Sequence, residues 1–185
     1  RESHSGPGSN NKNTRKLVNK LKSILKKFRI KKIVDAPCGD FYWIKNLILN
    51  SNVNYIGIDI VKKLIKQNKK YEKNKIKFFN LDIINNNIPK SDLIICRDFI
   101  FHLSNRDIFN FFKNIYRTEF KYILISNHTK KSNFINKNIK SGDFRKIDLF
   151  SHPFNFGNKY DLIINDFCDG KEKYLILYRS VEIKK

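Results

Sequence analysis

Three acidic residues each close a short apolar run and are the first candidates for a binding site. Asp35 ends the run 31–35, Asp59 lies near the end of 53–60, and Asp82 ends 75–82. Short runs rich in Ile, Val and Phe, bounded by polar residues, are typical of buried β-strands. The carboxyl ends of parallel strands meet at one edge of a sheet, where ligands bind. We therefore expect three carboxylates along that edge, ready to accept hydrogen bonds from hydroxyls or amines.

A second polar group follows the predicted fourth strand, 92–96. Arg97 and Asp98 come directly after it, and if the chain enters a helix there, Asp98 and His102 share one face at i, i+4. His102 is then a candidate general base, oriented by Asp98. The alternative is a partly buried histidine that caps the next helix. A divalent metal held by these two with His128 or Asp143 lacks a convincing ligand spacing, so we expect no metal.

Residues beyond the fifth strand are candidates for a substrate-binding site, the acceptor site. Arg145 lies in Gly-Asp-Phe-Arg, ahead of the aromatic run at 153–156. An arginine beside aromatic rings suits an anionic or sugar acceptor, but the same residues also fit a lid that is stabilised by its own packing. We place His128 and Trp43 with Arg145 in the acceptor site.

The elements that position these residues alternate between strand and helix. An amphipathic helix over 14–28 comes first; it either packs on a sheet or, being basic, contacts a membrane or RNA. Further helices are predicted over 41–49, over 61–71 and from the Ser104-x-x-Asp107 capping box onward. Strands are predicted over 31–35, 53–60, 75–82, 92–96, 122–126, 160–166 and 173–179. Such alternation predicts an α/β fold, with a mostly parallel sheet covered by helices on both faces.

The motifs together resemble class I S-adenosylmethionine-dependent methyltransferases. The turn Ile-Val-Asp-Ala-Pro-Cys-Gly-Asp at 33–40 resembles their first motif, with Pro37 and Phe41 where glycines usually stand. The blocks at 35–43, 55–61, 96–104 and 2–9 resemble one small bacterial subfamily. The resemblance spans Glu2 to Tyr178 and implies a Rossmann-like, seven-stranded sheet whose last strand is antiparallel.

The resemblance also implies roles for the residues at the sheet edge. Asp35 is expected near the ammonium group of S-adenosylmethionine, and Gly39 lets the backbone approach the methionine part. Asp59 is expected to accept both ribose hydroxyls, and Asp82, with Ile83, to accept from the adenine amine. The other cofactor contacts that we assign are Pro37, Ile60 and Arg97.

Several other classes of site fit less well. One glycine in the first turn does not make a G-x-G-x-x-G dinucleotide site. Cys38 follows the first strand, whereas the Pro-Cys nucleophile of cytosine-C5 methyltransferases follows the fourth, so Cys38 is interpreted as a packing residue. The Cys-Arg-Asp-Phe block at 96–99 replaces the Asn-Pro-Pro-Tyr type of block that base-amine methyltransferases carry.

The residues at 1–13 are interpreted as an arm over the cofactor site, and 14–185 as the methyltransferase domain. Gly-Pro-Gly-Ser is also a common remnant of a cleaved tag. The preceding Arg-Glu-Ser-His-Ser and the match to the subfamily favour a native arm. The sequence contains no Met, so we expect its natural start to be missing.

The composition admits two interpretations of the net charge of +21. Of 38 basic residues 30 are Lys, beside 27 Ile and 24 Asn, all residues with A/T-rich codons. Codon composition therefore explains much of the charge, although residues 12–32 hold ten basic residues and no acid. A nucleic-acid partner is the less favoured alternative.

The cysteines and the apolar runs bear on the compartment. Cys38, Cys96 and Cys168 are odd in number and widely spaced, which argues against a disulfide framework and a zinc site. No run approaches the length of a membrane span, and no secretion signal is present. The sequence thus predicts a cytoplasmic protein. The resemblance implies an enzyme that methylates a small molecule or sugar, with an RNA methyltransferase or basic nucleic-acid-binding protein as the alternative.

Overall fold

A seven-stranded sheet organises the protein, which is described here from a computed structural model covering residues 7–128, 134–166 and 173–183. The strands are β1 (Lys32–Asp35), β2 (Asn54–Asp59), β3 (Ile76–Asn80), β4 (Leu93–Cys96), β5 (Tyr122–Asn127), β6 (Leu162–Asn165) and β7 (Tyr174–Arg179). Their order is β3-β2-β1-β4-β5-β7-β6, and β7 alone runs antiparallel to its two neighbours. This confirms the predicted fold class, including the antiparallel last strand.

Helices cover both faces of the sheet. They are α1 (Asn11–Lys27), α2 (Lys45–Leu49), α3 (Lys62–Asn68), α4 (Asn105–Arg117) and α5 (Ser180–Ile183). The buried side chains of α1, α2 and α3 belong to one hydrophobic cluster, which includes Ile33 and Leu124 of the sheet. The side chains of α4 belong to a second cluster, with Val34 and Ile123 on the other face. Among the described residues, no helix combines the length and apolar character that crossing a membrane requires.

Helix α1 is longer than its apolar pattern predicts. It begins at Asn11, within the predicted arm and three residues before Thr14, because the Asn10 side chain accepts a hydrogen bond from Asn13 N at 2.9 Å. Its end is sharp: Ile30 N donates to Leu25 O, and Arg29 takes the left-handed conformation, with φ of 50°. This Schellman turn satisfies the last carbonyls and directs the chain into β1.

The segment 41–49 is helical only in its second half. Phe41 has φ of 62°, which is incompatible with a continuous helix, so α2 begins at Lys45. The helix predicted over 61–71 divides into α3 and a 3₁₀ turn at Lys69–Tyr71.

The capping box at the start of α4 is only half formed. Ser104 Oγ accepts from Asp107 N at 3.1 Å, which is the expected N-cap. The reciprocal bond, from Ser104 N to the Asp107 carboxylate, is not formed among the described residues. Instead Ser104 N donates to Ser141 Oγ, and the Ser141 hydroxyl donates to the Asp107 carboxylate.

Candidate functional site

The turn after β1 is fastened to the end of β2. Cys38 N donates to Ile58 O at 2.8 Å, and Gly39 N donates to the Asp59 carboxylate at 3.0 Å. Gly39 has φ of 56°, a conformation that glycine adopts without steric cost. Asn68 of α3 donates to Gly39 O at 2.8 Å, so three elements hold the turn in place.

Asp59 is the best-placed acceptor in the site. It is only 5% exposed, and each carboxylate oxygen accepts one backbone N–H, from Gly39 and from Val61. A carboxylate has about four acceptor positions, and the backbone also contributes a bond from Ile60, so acceptor capacity still remains for a ligand. Burial raises the pKa of Asp59, and the backbone bonds oppose that rise. The arrangement suits a ligand with two adjacent hydroxyls.

Asp35 is completely buried at the end of β1. Tyr55 OH donates to its Oδ2 at 2.7 Å, whereas Oδ1 has no hydrogen-bond partner among the described residues. Desolvation raises the pKa of Asp35 to about 7, although Tyr55 and the positive charge of Arg97 lower it. An unsatisfied buried oxygen is costly, and a cationic ligand group beside it would remove that cost.

Asp82 and its neighbours lie beyond the end of β3, not on it. The Asp82 carboxylate accepts from Ile84 N and from the Asn85 side chain, so it caps its own turn. Ile83 is buried in the core, while Ile60, after β2, is 66% exposed.

The Arg97 side chain joins three parts of the chain at the carboxyl edge. Its Nε and Nη2 form a bidentate ion pair with Asp166, both at 2.9 Å, and Nη2 also donates to Gly8 O at 2.7 Å. The guanidinium lies 5.1 Å from the centre of the Trp43 ring. Arg97 thus links the end of β4 to the end of β6 and to the described part of the predicted arm. Residues 1–6 of that arm lie outside the described residues, as does Cys168.

Asp98 is held by cations rather than by a histidine. Its carboxylate pairs with Lys173 and lies 3.5 Å from Arg97, while its backbone N donates to Ser126 Oγ. The cations hold the pKa of Asp98 below its usual value, against the effect of burial. Lys173 also contacts Asp166 at 3.0 Å.

The predicted Asp98–His102 pair is therefore wrong. Asp98 has φ of 56°, so no helix runs from Asp98 to His102, and the chain instead makes a 3₁₀ turn at Ile100–His102. His102 Nδ1 lies 2.9 Å from Asp143 O. Because a carbonyl only accepts, this bond places a proton on Nδ1 and leaves Nε2 of the neutral ring as an acceptor.

His128 packs in an aromatic group beside His102. Its ring centre lies 4.5 Å from that of Phe101 and 5.8 Å from that of Phe144. Burial, with a smaller contribution from Lys173, lowers the pKa of His128 to about 4. His128 Nδ1 is buried without a hydrogen-bond partner in the described chain.

Arg145 is turned inward, in contrast to its predicted contact with an acceptor. Its guanidinium donates to Leu103 O at 3.0 Å and to Lys137 O, and it lies 6.0 Å from the Phe154 ring centre. Only 7% of the residue is exposed. These bonds fasten the segment after β5 to the turn that precedes α4.

A cavity of about 200 Å³ opens among these residues. Its lining residues are Ser9, Pro37, Cys38, Gly39, Trp43, Asp59, Val61, Leu64, Arg97 and Asp98. A larger cavity, of about 610 Å³, lies between Tyr116, Phe156 and Ile183 and contains none of the predicted site residues. The smaller cavity is therefore the candidate site. The described residues include no group of three or more His, Cys, Asp or Glu that suits a metal ion.

Two residues of the site were missed by the sequence analysis. Asp166 directly follows β6, and Asp35 and Asp59 end β1 and β2, so the same position at the end of an apolar run could have identified Asp166. Lys173 precedes β7, and only the antiparallel pairing of β7 with β5 brings it beside Asp98.

Several solved structures with a similar fold are methyltransferases. The methyltransferase domain of bacterial CtHen1-CN is 18% identical, with TM-score 0.62, over 89% of this chain and 98% of that one. NodS, an N-methyltransferase from Bradyrhizobium japonicum crystallised with S-adenosyl-L-homocysteine, is 12% identical, with TM-score 0.68, over 92% and 88%. The magnesium protoporphyrin IX methyltransferase of Synechocystis PCC 6803, crystallised with S-adenosylmethionine, is 12% identical, with TM-score 0.64, over 94% and 86%. The sequence itself matches no protein-family model and no curated protein.

Proposed function

We propose that this protein is an S-adenosylmethionine-dependent methyltransferase that methylates an oxygen of a small molecule or sugar. The observation that carries the proposal is Asp59, a buried carboxylate at the end of β2 that lines the cavity and is oriented by the backbone N–H groups of Gly39 and Val61. Solved structures with this fold were crystallised with S-adenosylmethionine or its demethylated product.

The residues at the cavity fit the groups of that cofactor. Asp59, which lines the cavity, suits the ribose diol. Asp35 does not line it, but its buried Oδ1 has no partner among the described residues, and we propose that it meets the ammonium group. Gly39 presents backbone without a side chain where the methionine part is expected. Pro37, Trp43 and Ser9 line the same cavity, and Arg97 holds Gly8 beside it. Ile60, Asp82 and Ile83 are proposed to contact the adenine.

The cofactor supplies a methyl group on a sulfonium, which is already activated for transfer. The protein must then align the acceptor and, for a hydroxyl, remove its proton. His102 suits this step because Asp143 O holds its Nδ1 proton and leaves Nε2 free to accept. Asp98 keeps a role at the cavity as a carboxylate fixed by Lys173 and Arg97. His128 remains a proposed acceptor contact. Arg145 is proposed to shape the acceptor site through the backbone that it fastens.

Titration calorimetry with S-adenosyl-L-homocysteine tests the proposal. Asp59→Ala should weaken binding by about tenfold or more, since losing hydrogen bonds to a charged acceptor costs about 1.5–3 kcal/mol. Asp161→Ala is a matched control, because Asp161 pairs with Arg179 away from the cavity. No binding by the wild-type protein, or equal affinity in Asp59→Ala, would overturn the proposal.

A further inference from the structure

Twelve of the 38 Lys and Arg residues lie on two helical segments that cover one face of the sheet. Helix α1 carries seven exposed Lys or Arg and no acid. Helix α3 and the 3₁₀ turn after it carry five exposed Lys and no acid. These twelve are Lys12, Arg15, Lys16, Lys20, Lys22, Lys26, Lys27, Lys62, Lys63, Lys66, Lys69 and Lys70. We call them the cationic layer.

Both helices cover the same face of the sheet. The buried side of α1 and the buried side of α3 enter one hydrophobic cluster, so their lysines point away from it together. Tyr42 and Tyr71 lie between the two helices. Asn11 of α1 donates to Tyr42 OH, and the Lys45 ammonium lies 5.4 Å and 5.3 Å from the centres of the Tyr42 and Tyr71 rings. These contacts link the start of α1 to the 3₁₀ turn after α3, while α1 itself packs against β6 and α3 against β2 and β3.

No member of the cationic layer forms an ion pair with any residue that the structure describes. The opposite face of the sheet, covered by α4, carries acids that are paired with cations. Helix α4 carries Asp107, which is paired with Arg106, and the segment after it carries Glu119, which is paired with Lys90. A/T-rich codons raise the Lys content along the whole chain. They do not explain why α1 and α3 carry no acid while α4, on the other face, carries one.

We propose that the cationic layer is a docking surface for the phosphate backbone of a nucleic acid. Helix α1, with 17 residues, is about 25 Å long and bears roughly one positive charge per 4 Å, close to the phosphate spacing of a nucleic-acid strand. Lysine binds phosphate as a point charge and gives affinity without sequence preference. The inference goes beyond the proposed methyl transfer and does not rest on it.

The surface fits a nucleic acid better than an anionic membrane. A helix that binds a membrane presents Trp, Phe or Leu to the lipid beside its lysines. In α1 the leucines and isoleucines are all buried against the sheet, and the exposed face is polar. The layer also starts at the candidate site, because α1 follows Ser9 and α3 follows Val61, both of which line the cavity. A bound strand would therefore run past the mouth of that cavity.

Fluorescence anisotropy with a labelled single-stranded RNA and a duplex DNA of about 20 nucleotides tests the surface without cofactor. The layer variant replaces Lys16, Lys20, Lys63 and Lys66 by Gln, a good helix former. The control variant replaces four exposed cations outside the layer, Lys113, Arg117, Lys140 and Lys159, by Gln. Both lose the same net charge.

We expect the wild-type protein to bind at least one probe with a Kd of about 10⁻⁶ M or tighter at about 150 mM salt, the tight end of non-specific binding. The layer variant should bind at least tenfold more weakly, and its slope of log K against log salt should fall by about 2 to 4. The control variant should keep most of the wild-type affinity. Equal losses in the two variants would mean that only net charge matters and would overturn the proposal. Tighter binding to phosphatidylserine–phosphatidylcholine vesicles than to either probe, or no binding by the wild-type protein, would also overturn it.

Discussion

His102 and Asp143 define a testable base at the scale of single residues. With Nδ1 bonded to Asp143 O, the ring is held with Nε2 as its acceptor. His102→Ala should lower turnover by roughly 10²–10⁴-fold, the usual range for a general base, and leave cofactor affinity nearly unchanged. Single-turnover kinetics with an identified acceptor, beside calorimetry with the cofactor product, measures the two effects separately.

A smaller loss of turnover in His102→Ala would mean that His102 is not the general base. If turnover of His102→Ala falls less than about fivefold, His102 is structural and positioning alone carries the transfer. His128→Ala serves as the comparison, because His128 has a pKa near 4 and is already neutral and buried at pH 7. Its loss is expected to affect packing on Phe101.

Asp35 makes the stability of the protein depend on pH. Its pKa is about 7 in the folded protein, against about 3.9 in an unfolded chain. Between these values the folded state holds a proton that the unfolded state has lost, so stability falls as the pH rises from about 4 to 7 and levels above 7. In Asp35→Asn this contribution is absent, and the side-chain oxygen still accepts from Tyr55.

The free energy of unfolding in urea, measured at pH 5 and pH 8, checks this. The difference between Asp35→Asn and the wild-type protein should shift in favour of the variant by about 2–3 kcal/mol between the two pH values, from about 1.4 kcal/mol per pKa unit. A difference that stays constant with pH would show that Asp35 has no raised pKa.

The Arg97–Asp166 ion pair joins two strands at the scale of elements. It ties the end of β4 to the end of β6, and both side chains are almost fully buried. Asp166→Asn leaves the buried cations of Arg97 and Lys173 with Asp98 as their remaining counter-charge, so it should cost about 3–5 kcal/mol of stability. Urea denaturation measures the cost. Asp161→Asn breaks an exposed pair with Arg179 and should change stability far less. Similar losses in the two variants would contradict the structural importance of the buried pair.

The same elements show how far the sequence predicts this fold. The strands were placed to within one or two residues, because apolar runs such as 92–96 are buried on both faces and interrupted by polar turns. The helix predicted over 41–49 is longer than the observed α2, because Phe41 adopts a left-handed conformation that only its tertiary setting stabilises. The start of α1 was placed too late, because the Asn10 cap carries no apolar signal.

The candidate site was predicted in part for a related reason. Asp35 and Asp59 lie at neighbouring strand ends as predicted, because the carboxyl ends of parallel strands meet at one edge of the sheet, and their contacts with a cofactor stay a prediction. The ion pair of Asp98 with Lys173 was not predicted. Lys173 is 75 residues away in the sequence and reaches Asp98 only through an antiparallel strand. Arg145 looked available from its neighbours, but two backbone carbonyls engage it in the folded chain.

At the scale of the whole molecule, the candidate site depends on parts that are distant in sequence. The turn after β1, the end of β2 and the segment at Gly8–Ser9 meet at one cavity, held by Gly39–Asp59 and Arg97–Gly8 bonds. A ligand that contacts all three adds its binding free energy to the stability of the fold. The cationic layer begins beside the same cavity, since α1 follows Ser9 and α3 follows Val61.

Thermal unfolding with and without S-adenosyl-L-homocysteine measures this coupling for the entire chain. A ligand that binds only the folded state at 100 times its Kd stabilises it by about 2.7 kcal/mol. For a chain of 185 residues, Tm should then rise by about 5–10 °C. Asp59→Asn binds about tenfold more weakly, so at the same ligand concentration about 1.4 kcal/mol of that stabilisation is lost and the rise in Tm is roughly halved. Adenosine, which keeps the ribose diol but lacks the amino acid, should raise Tm less because it cannot reach Asp35. If neither compound changes the Tm of the folded wild-type protein, then the cavity does not bind this cofactor.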